Sequence, residues 1–210
     1  MLKIKLYPCF KHWLEFNNIW LYADPHFSDP EMVYLRKNYI SDEEQVKRIN
    51  AKIGKKDLII FLGDISDISF ISKIRAGYKV LIKGNHDDKG DDFYKRGKYV
   101  QCNFNCNTHE LEEKYIDNHL FDEVYSGPVW IAEKILLSHE PIDIPYAFNI
   151  HGHFHAYNNS TDRSLNICAE YIDYTPVSLL KLIKDGTFSK VDSIHRMTID
   201  KATEHKLNKK

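Results

Sequence analysis

Five short apolar runs in the sequence each end in residues that can bind a metal ion or exchange a proton. These residues are Asp24 and His26, then Asp64, then Asn85, His86 and Asp87, then His139, and finally His151, His153 and His155. The chain has 11 histidines, and more than half of them follow one of these runs. Composition does not explain this placement, which indicates a single site with its own chemistry.

The runs that precede these residues have the length and composition of buried strands. Residues 19–22 and 58–62 are examples, with four or five residues rich in Ile and Leu. Short apolar runs of this kind predict strands that are covered on both faces. In open α/β sheets, ligands bind beyond the carboxyl ends of the strands. We therefore expect the five strands to bring their terminal residues together.

The segment after the first run predicts a helix. A capping box from Ser41 to Glu44 begins it, and Gly54 follows its last apolar residue. Two further polar segments, 88–97 and 109–120, are expected to be partly helical.

The last third of the chain has the pattern of strands. Segments 164–172 and 177–194 are rich in apolar and β-branched residues, and Asp185–Gly186 predicts a hairpin turn between two of these strands. We expect them to pack behind the first group of strands. Residues 1–200 are predicted to form a single domain, and the lysine-rich segment 201–210 is predicted to be a frayed tail.

The donor set at the strand ends favours a pair of transition-metal ions. It contains more ligands than one tetrahedral zinc ion requires, and fewer carboxylates than calcium or magnesium prefers. Mixed imidazole, carboxylate and amide ligands suit two divalent ions such as manganese, iron, nickel or zinc, and we expect manganese first. Two such ions about 3.5–4 Å apart can support an in-line displacement at phosphorus.

The order of the motifs resembles that of a known family. Asp24-Pro25-His26, Gly63-Asp64, Gly84-Asn85-His86-Asp87, His139 and Gly152-His153-Phe154-His155 match, in this order, the signatures of the calcineurin-like metallophosphoesterases. Each motif is weak alone, but all five in sequence are specific. The resemblance implies an α/β fold, namely a four-layer α-β-β-α sandwich with two mixed central sheets.

The resemblance also implies a role for each residue. Asp24, His26 and His155 would hold the first ion, Asn85, His139 and His153 would hold the second, and Asp64 would bridge the two. His86 would face the phosphoryl group and donate a proton to the leaving oxygen, and Asp87 would orient His86. The implied reaction is in-line attack of a metal-bridging hydroxide on a phosphate ester.

Details of the motifs refine this resemblance. The stretches "GDISDIS" and "GNHDD" lack the Arg-Gly of the protein Ser/Thr phosphatases in the superfamily. The sequence looks more like the small bacterial and phage phosphoesterases. Pro25 departs from the pattern, since a small or aliphatic residue is commoner there, and we expect it to stiffen the loop.

Residues for substrate recognition are less clearly marked. Arg36 and His151 are weak candidates for contacting the substrate, and Lys83 and Asn50 lie near the same loops. For His151, a structural role beside the ligands is favoured. For Arg36, Lys83 and Asn50, a solvated surface position is favoured.

The remaining composition limits the partners and the compartment. A net charge of -1 and a pI near 6.8 argue against electrostatic capture of long nucleic acids or anionic membranes. No run approaches the length of a membrane helix, and the lysines near the start do not fit a signal peptide. Cys9, Cys102, Cys106 and Cys168 do not form a disulfide framework and are expected to be reduced thiols. We expect a cytoplasmic protein.

These observations favour an enzyme with a small phosphate-ester substrate, such as a nucleotide. A phosphodiester is expected, because a proton donor at His86 helps an alkoxide to leave. The alternatives are a phosphomonoesterase, a nuclease acting on nucleotides or nucleic-acid ends, and a catalytically silent binding scaffold of the same fold.

Overall fold

The computed structural model describes residues 5–96, 99–105, 110–116, 119–193 and 201, with backbone alone for 99–105 and 110–116. The strands are β1 (Ile19–Tyr22), β2 (Leu58–Phe61), β3 (Tyr78–Ile82), β4 (Tyr99–Asn105), β5 (Glu110–Ile116), β6 (Glu123–Tyr125), β7 (Val129–Ala132), β8 (Ile135–Leu137), β9 (Phe148–His151), β10 (Ser164–Asn166) and β11 (Val177–Ser178). The α-helices are α1 (Met32–Leu35), α2 (Asp42–Lys52), α3 (Asp91–Arg96) and α4 (Leu179–Lys184). Short 3-10 helices span Pro8–Glu15, Ile68–Lys73, Ala169–Ile172 and Thr187–Lys190.

Two mixed sheets form the centre of the fold. The larger sheet has the order β11-β1-β2-β3-β6, with β11 antiparallel to β1 and the other pairs parallel. The smaller sheet has the order β10-β9-β8-β7, with β7 antiparallel to β8 and the other pairs parallel. This arrangement confirms the predicted α/β class with two mixed sheets.

The apolar runs of the larger sheet are buried on both faces because each face of this sheet has its own core. In β2 and just after it, Ile60 and Leu62 belong to the core between the two sheets, which also contains Ile150 of β9. Ile59 and Phe61 alternate with them and belong to a second core, which includes residues of α2. Successive side chains of a strand point to opposite faces, so a continuous apolar run is required here.

Helix α2 begins at the predicted capping box and also supports a loop of the candidate site. The Ser41 hydroxyl accepts a hydrogen bond from the Glu44 amide at 3.3 Å. On the buried side, the Gln45 side chain accepts a hydrogen bond from the Tyr22 hydroxyl at 2.6 Å. The same side chain donates to the Pro25 carbonyl at 3.2 Å. The helix therefore connects β1 to the loop that follows it.

The predicted hairpin at Asp185–Gly186 is wrong, because residues 179–184 form helix α4. The Ser178 hydroxyl caps this helix by accepting a hydrogen bond from the Lys181 amide at 3.1 Å. Gly186 has a positive φ of 73° and donates its amide to the Ile183 carbonyl at 3.2 Å. The glycine thus ends a helix instead of turning a hairpin.

Two other segment predictions also need correction. Segment 109–120 was expected to be partly helical, but β5 pairs antiparallel with β4 over its whole length. Regular pairing with a neighbouring strand outweighs the helix preference of its Glu and Lys residues. Segment 164–172 is a strand in its first three residues, and residues 169–172 form the 3-10 helix Ala169–Ile172.

The helix predicted within 88–97 is confirmed as α3. Most of the predicted tail, 202–210, lies outside the described residues.

A single carboxylate attaches the N-terminal 3-10 helix to the edge of the larger sheet. One oxygen of Glu123 lies 2.6 Å from the His12 ring, 2.9 Å from the Trp13 indole nitrogen and 2.8 Å from the Tyr78 hydroxyl. Its other oxygen accepts from the Tyr125 hydroxyl. Burial raises the pKa of Glu123, but these hydrogen bonds lower it, and the net direction is below the usual value. The anionic form is therefore the one that stabilises the fold.

We predict that Glu123→Gln lowers the free energy of unfolding at pH 7 by about 1.5–3 kcal/mol, since hydrogen bonds to a charged acceptor are lost. A lowered pKa stabilises the fold above the unfolded-state value of about 4.3, and this contribution disappears as the pH falls through the folded-state pKa. Urea unfolding at pH 7 and pH 3.5 should show the difference between wild type and variant shrinking at the lower pH. An equal difference at both values would contradict this role.

Candidate metal centre

The carboxyl ends of strands from both sheets bring the predicted residues together. The loop after β1 carries Asp24 and His26, and the loop after β2 carries Asp64, while β3, β8 and β9 lead to the remaining candidates. The two loops are joined by backbone hydrogen bonds, from the Asp24 amide to the Gly63 carbonyl at 3.1 Å and from the His26 amide to the Asp64 carbonyl at 3.0 Å. The expected convergence is thus observed.

Several of these residues have a left-handed backbone. The φ angles are 53° for Asp24, 45° for His26, 54° for Asp64 and 67° for His153. Residues other than glycine rarely adopt this conformation, although Asp and His do so more readily than most. Strained conformations of this kind persist where the surrounding structure holds them, and they concentrate at functional sites. Here they occur in the three loops whose side chains converge on the cluster.

The second half-site is formed by Asn85, His139 and His153, together with Asp64. The Asn85 side-chain oxygen lies 2.8 Å from Nε2 of His139 and 3.0 Å from Nδ1 of His153, and these two nitrogens are 3.1 Å apart. An oxygen of Asp64 lies 3.3 Å from Nε2 of His139. Three potential ligand atoms in so small a triangle could bind one cation once the imidazoles are deprotonated.

The first half-site is formed by Asp24, His26 and His155, again together with Asp64. Nε2 of His26 lies 3.5 Å from an oxygen of Asp64, and Nε2 of His155 lies 3.6 Å from an oxygen of Asp24. Asp24, His26 and Asp64 have ligand atoms within 4.8 Å of one another, as do Asp64, His139 and His153. Asp64 is therefore common to the two half-sites.

Hydrogen bonds fix the ring orientation of three of the histidines. Their Nδ1 atoms lie 3.2 Å from the Asp29 carboxylate for His26, 2.9 Å from the Leu62 carbonyl for His139, and 2.6 Å from the Glu170 carboxylate for His155. An acceptor at Nδ1 leaves Nε2 free to bind a metal. In the described residues, the buried Nε2 atoms of His26 and His155 have no hydrogen-bond partner. The side chains therefore fit divalent ions.

The charges within the cluster hold one another ionised. Burial lowers the pKa of His139 and His155, but hydrogen bonds and negative charge from nearby carboxylates outweigh it and raise the pKa of each to about 9. Burial raises the pKa of Asp24 and Asp64, but the same histidines hold both pKa values below their usual range. A bound cation would take over this neutralising role, and its binding would displace protons from the imidazoles.

His86 lies at the solvent-exposed side of the cluster. Its backbone amide donates to an oxygen of Asp64 at 2.9 Å, and its ring centre lies 5.3 Å from that of His26. The side chain itself is exposed. The imidazole therefore stands beside the ligands, where a substrate would enter.

We expected Asp87 to orient His86, but its carboxylate has other partners. Its buried carboxylate accepts backbone hydrogen bonds from Gly84 at 2.9 Å, Asp64 at 2.8 Å and Ile65 at 3.1 Å. In the described residues, no hydrogen bond joins it to the His86 ring. Asp87 instead connects the loops after β2 and β3, and so fixes the backbone that carries Asp64.

Arg36 does not have the substrate-facing or solvated position considered for it. Its side chain is 1% exposed. The guanidinium donates to the Asp24 carbonyl at 2.5 Å and to the Pro25 carbonyl at 3.4 Å. It also forms an ion pair with Glu170 at 3.3 Å, without the alignment of a hydrogen bond. Arg36 therefore supports the loop from inside the protein.

His151, Lys83 and Asn50 are also accounted for by their contacts. His151 is buried, and its Nδ1 donates to the Gly152 carbonyl at 2.9 Å, which fits the structural role that the sequence favoured. Lys83 forms an ion pair with Asp91 at 3.1 Å. Asn50 bonds to backbone groups at the end of the 3-10 helix Ile68–Lys73 and beyond it. None of the three is placed as a metal ligand.

Three residues that border the candidate ligands were not predicted from the sequence, namely Asp29, Cys168 and Glu170. The free, buried thiol of Cys168 lies within a group with Asp24 and His155 whose ligand atoms are within 4.8 Å of one another. Cys9 is also a free thiol. The other two cysteines have no described side chain. Neither Glu170 nor Cys168 follows an apolar run of the kind that marked the other residues, so the strand-end pattern could not find them.

A cavity of about 280 Å³ lies next to the second half-site. Asn85 and His139 border it on the side of the cluster, and Lys83, Ser126 and Glu140 contribute to the rest of its lining. Its size is at the lower end of ligand pockets. The cavity therefore provides open space beside two of the candidate ligands.

Comparisons with known proteins identify the family of this chain. The family profile described as calcineurin-like phosphoesterase matches residues 18–199. The chain therefore belongs to the calcineurin-like phosphoesterases, as the order of its motifs indicated.

Two individual proteins are similar over most of their length. The uncharacterized protein MJ1445 of Methanocaldococcus jannaschii is 28% identical over 204 aligned positions, which cover 82% of this chain and 95% of the relative. The crystal structure of the protein of unknown function AQ665 from Aquifex aeolicus superimposes with a TM-score of 0.56 at 20% identity, covering 80% of this chain and 98% of that one. The second likeness shows a shared fold.

In the described part of the chain, no helix has the length and apolar character needed to cross a membrane.

Two glycines allow the backbone to approach the cluster. A Cβ atom at Gly84 would lie 2.1 Å from an oxygen of Asp64, and one at Gly152 would lie 2.0 Å from an oxygen of Asp24. The second distance is short because the amide of His153 donates to both oxygens of Asp24, at 3.1 and 2.9 Å. Any side chain at these positions would have to displace a candidate ligand.

We predict that Gly152→Ala displaces the Asp24 carboxylate and weakens manganese binding about 10–100-fold, with a loss of unfolding free energy of about 1–3 kcal/mol. Equilibrium dialysis with metal analysis measures the first effect, and urea unfolding the second. Gly90→Ala is the matched control, since a Cβ there would meet no atom within 4 Å. Wild-type metal affinity in Gly152→Ala would show that the close approach does not matter.

Proposed function

We propose that the protein is a metal-dependent phosphoesterase that hydrolyses a small phosphate ester, with a phosphodiester as the favoured substrate. The observation that carries this proposal is the convergence of seven donor side chains into two half-sites that share Asp64. Membership of the phosphoesterase family supports the reaction class. We place this activity in the cytoplasm, the compartment expected from the sequence.

The ligands would divide between two divalent ions according to the half-sites. Asp24, His26 and His155 serve one ion, Asn85, His139 and His153 serve the other, and Asp64 serves both. Imidazole, carboxylate and amide donors together suit manganese, with iron, nickel or zinc as alternatives. Bound ions of this kind lower the pKa of a coordinated water and offset negative charge on the phosphoryl oxygens.

His86 is the group that we assign to proton transfer. Its imidazole is exposed beside the ligands, whereas the imidazoles of His26 and His139 are buried and held by hydrogen bonds at Nδ1. The backbone bond from His86 to Asp64 fixes the position of its loop relative to the shared carboxylate. From there, the ring can donate a proton to the leaving oxygen of a bound ester.

This proton donor supports an ester with an alkoxide leaving group, and the diester is the favoured one of the two ester types. Expulsion of an alkoxide requires a proton at or near the transition state, and a positioned acid contributes typically about 10²–10⁴-fold. A small substrate is favoured over a long polymer, because the net charge of -1 provides no general attraction for a polyanion. The neighbouring cavity offers room for one of the two ester groups.

We predict that the manganese-loaded protein hydrolyses bis(p-nitrophenyl) phosphate faster than p-nitrophenyl phosphate, and that chelation of the metal abolishes both activities. Release of p-nitrophenolate measures the rates. A protein that carries its ions but turns over no member of a broad panel of monoesters and diesters would contradict the proposal. Faster hydrolysis of monoesters would contradict the diester preference alone.

The variant His86→Ala provides the second arm of this experiment. It should keep the metal content of wild type and lose about 10²–10⁴-fold in turnover of an alkyl phosphodiester, whose alkoxide needs a proton to leave. The loss should be smaller on bis(p-nitrophenyl) phosphate, whose phenolate leaves without a proton donor. His119→Ala is the matched control, because this exposed histidine bonds to Asp122 and lies apart from the candidate residues. Release of an ion from His86→Ala would make His86 a ligand and overturn the assigned role.

A further inference from the structure

A buried carboxylate connects a candidate ligand to a buried cation behind the first half-site. One oxygen of Glu170 lies 2.6 Å from Nδ1 of His155, and the other lies 3.3 Å from Nε of Arg36. The side chain of Glu170 is 7% exposed and that of Arg36 is 1% exposed. The sequence motifs assign no role to Glu170.

Arg36 extends this connection to the opposite loop. Its two terminal nitrogens donate to the carbonyls of Asp24 and Pro25, as described above. The row His155–Glu170–Arg36–Asp24 therefore runs from the segment after β9 to the segment after β1. It links a ligand from the smaller sheet to a ligand loop of the larger sheet.

The backbone around Glu170 is held to the same two segments. The Ala169 amide donates to the Ala23 carbonyl at 3.1 Å, directly before Asp24. The hydroxyl of Tyr171 donates to the His155 carbonyl at 2.5 Å. Both neighbours of Glu170 are thus anchored to the loops that carry the first half-site, which leaves its carboxylate little freedom to move.

Stability alone is a weak reason for such a buried pair. Burying an arginine and a glutamate costs desolvation free energy that often exceeds their electrostatic attraction. Proteins in which apolar residues replace such a pair are frequently as stable as the original. A carboxylate at Nδ1 of a metal-binding histidine, in contrast, fixes the proton on that nitrogen and aims Nε2 at the metal.

We propose that Glu170 and Arg36 are positioning residues for the first half-site, with Glu170 fixing the ring of His155 and Arg36 holding Glu170 and the Asp24 loop in place. This inference rests on the metal-dependent function proposed above. Neither residue touches the reacting atoms, and each acts through a ligand.

The variant Glu170→Gln separates this role from simple filling of space. A carboxylate can accept from His155 and face Arg36 with its two oxygens at once. An amide has one oxygen, so it must either turn its NH₂ group toward the Arg36 cation or present NH₂ to Nδ1 of His155. The second arrangement is the favourable one, because it directs the amide oxygen toward the Arg36 guanidinium. It also forces the imidazole proton onto Nε2, where the proton blocks metal binding.

We expect wild type to bind two manganese ions, and Glu170→Gln to bind one with wild-type affinity and the other about 10–100-fold more weakly. Equilibrium dialysis with metal analysis gives the affinities. Electron paramagnetic resonance should show the spin-coupled pair of wild type replaced by a single-ion signal at limiting manganese. Circular dichroism of the metal-free variant checks its fold.

Two further variants distinguish geometry from charge. Glu31→Gln removes an exposed negative charge on the loop after β1, away from the candidate ligands, and we expect it to leave both affinities unchanged. Glu170→Asp keeps the charge but is one methylene too short for the 2.6 Å contact, so it should weaken the same ion as Glu170→Gln. It also carries the test if Glu170→Gln does not fold.

The outcomes separate the inference from the proposed function. Two ions in wild type with unchanged affinities in both Glu170 variants would overturn the inference and leave the function standing. An equal loss of metal affinity in Glu31→Gln and Glu170→Gln would show that Glu170 acts only through its charge, and would also overturn the inference. Fewer than two ions in wild type would overturn the metal-dependent function, and the inference with it.

Discussion

The burial of two neighbouring carboxylates, Asp24 and Asp64, is the constraint on which the rest of the site depends. Both side chains are at most 3% exposed, and both belong to a group whose ligand atoms lie within 4.8 Å. Like charges so close together in a buried position are costly unless cations or donors surround them. Histidines and backbone amides provide part of this compensation, and the geometry of the donors favours metal ions for the rest.

The loops and sheets are arranged to meet that constraint. Left-handed backbone at Asp24 and Asp64 turns their carboxylates inward, and Gly152 leaves room for the first of them. Amides from both sheets bond to these carboxylates, that of His86 to Asp64 and that of His153 to Asp24. The two sheets are therefore joined at the site by polar contacts as well as by the apolar core between them. Disturbing one ligand loop should consequently affect the other sheet.

Much of the fold could be predicted from the sequence because the central strands of the larger sheet are buried on both faces. The run at 58–62 has no polar residue, which is the pattern of a strand that packs against a core on each face. The candidate ligands could be found because they follow such runs. In contrast, the pattern "KDG" at 184–186 fits both a hairpin turn and a helix end. The cap at Ser178, which decides for the helix, was the signal that the strand interpretation overlooked.

The contacts behind the ligands could not be predicted in the same way. Glu170 and Arg36 are far apart in the sequence, and nothing in the local pattern of either residue indicates that they meet. The role of Asp87 was wrong for a similar reason. The family resemblance implied that Asp87 orients His86, whereas the turn directs its carboxylate to amides of the neighbouring loop. Local pattern predicts strands and their ends well, but tertiary structure determines the partners of each side chain.

The central claim is that Asp64 is shared by two metal ions, and metal counting on two variants tests it most directly. Asp64→Asn and Asp24→Asn should be compared with wild type by equilibrium dialysis against manganese, with metal analysis of the protein. If Asp64 is shared, Asp64→Asn weakens the binding of both ions, whereas Asp24→Asn weakens that of one. An Asp64→Asn variant that still binds one ion with wild-type affinity would contradict the shared carboxylate.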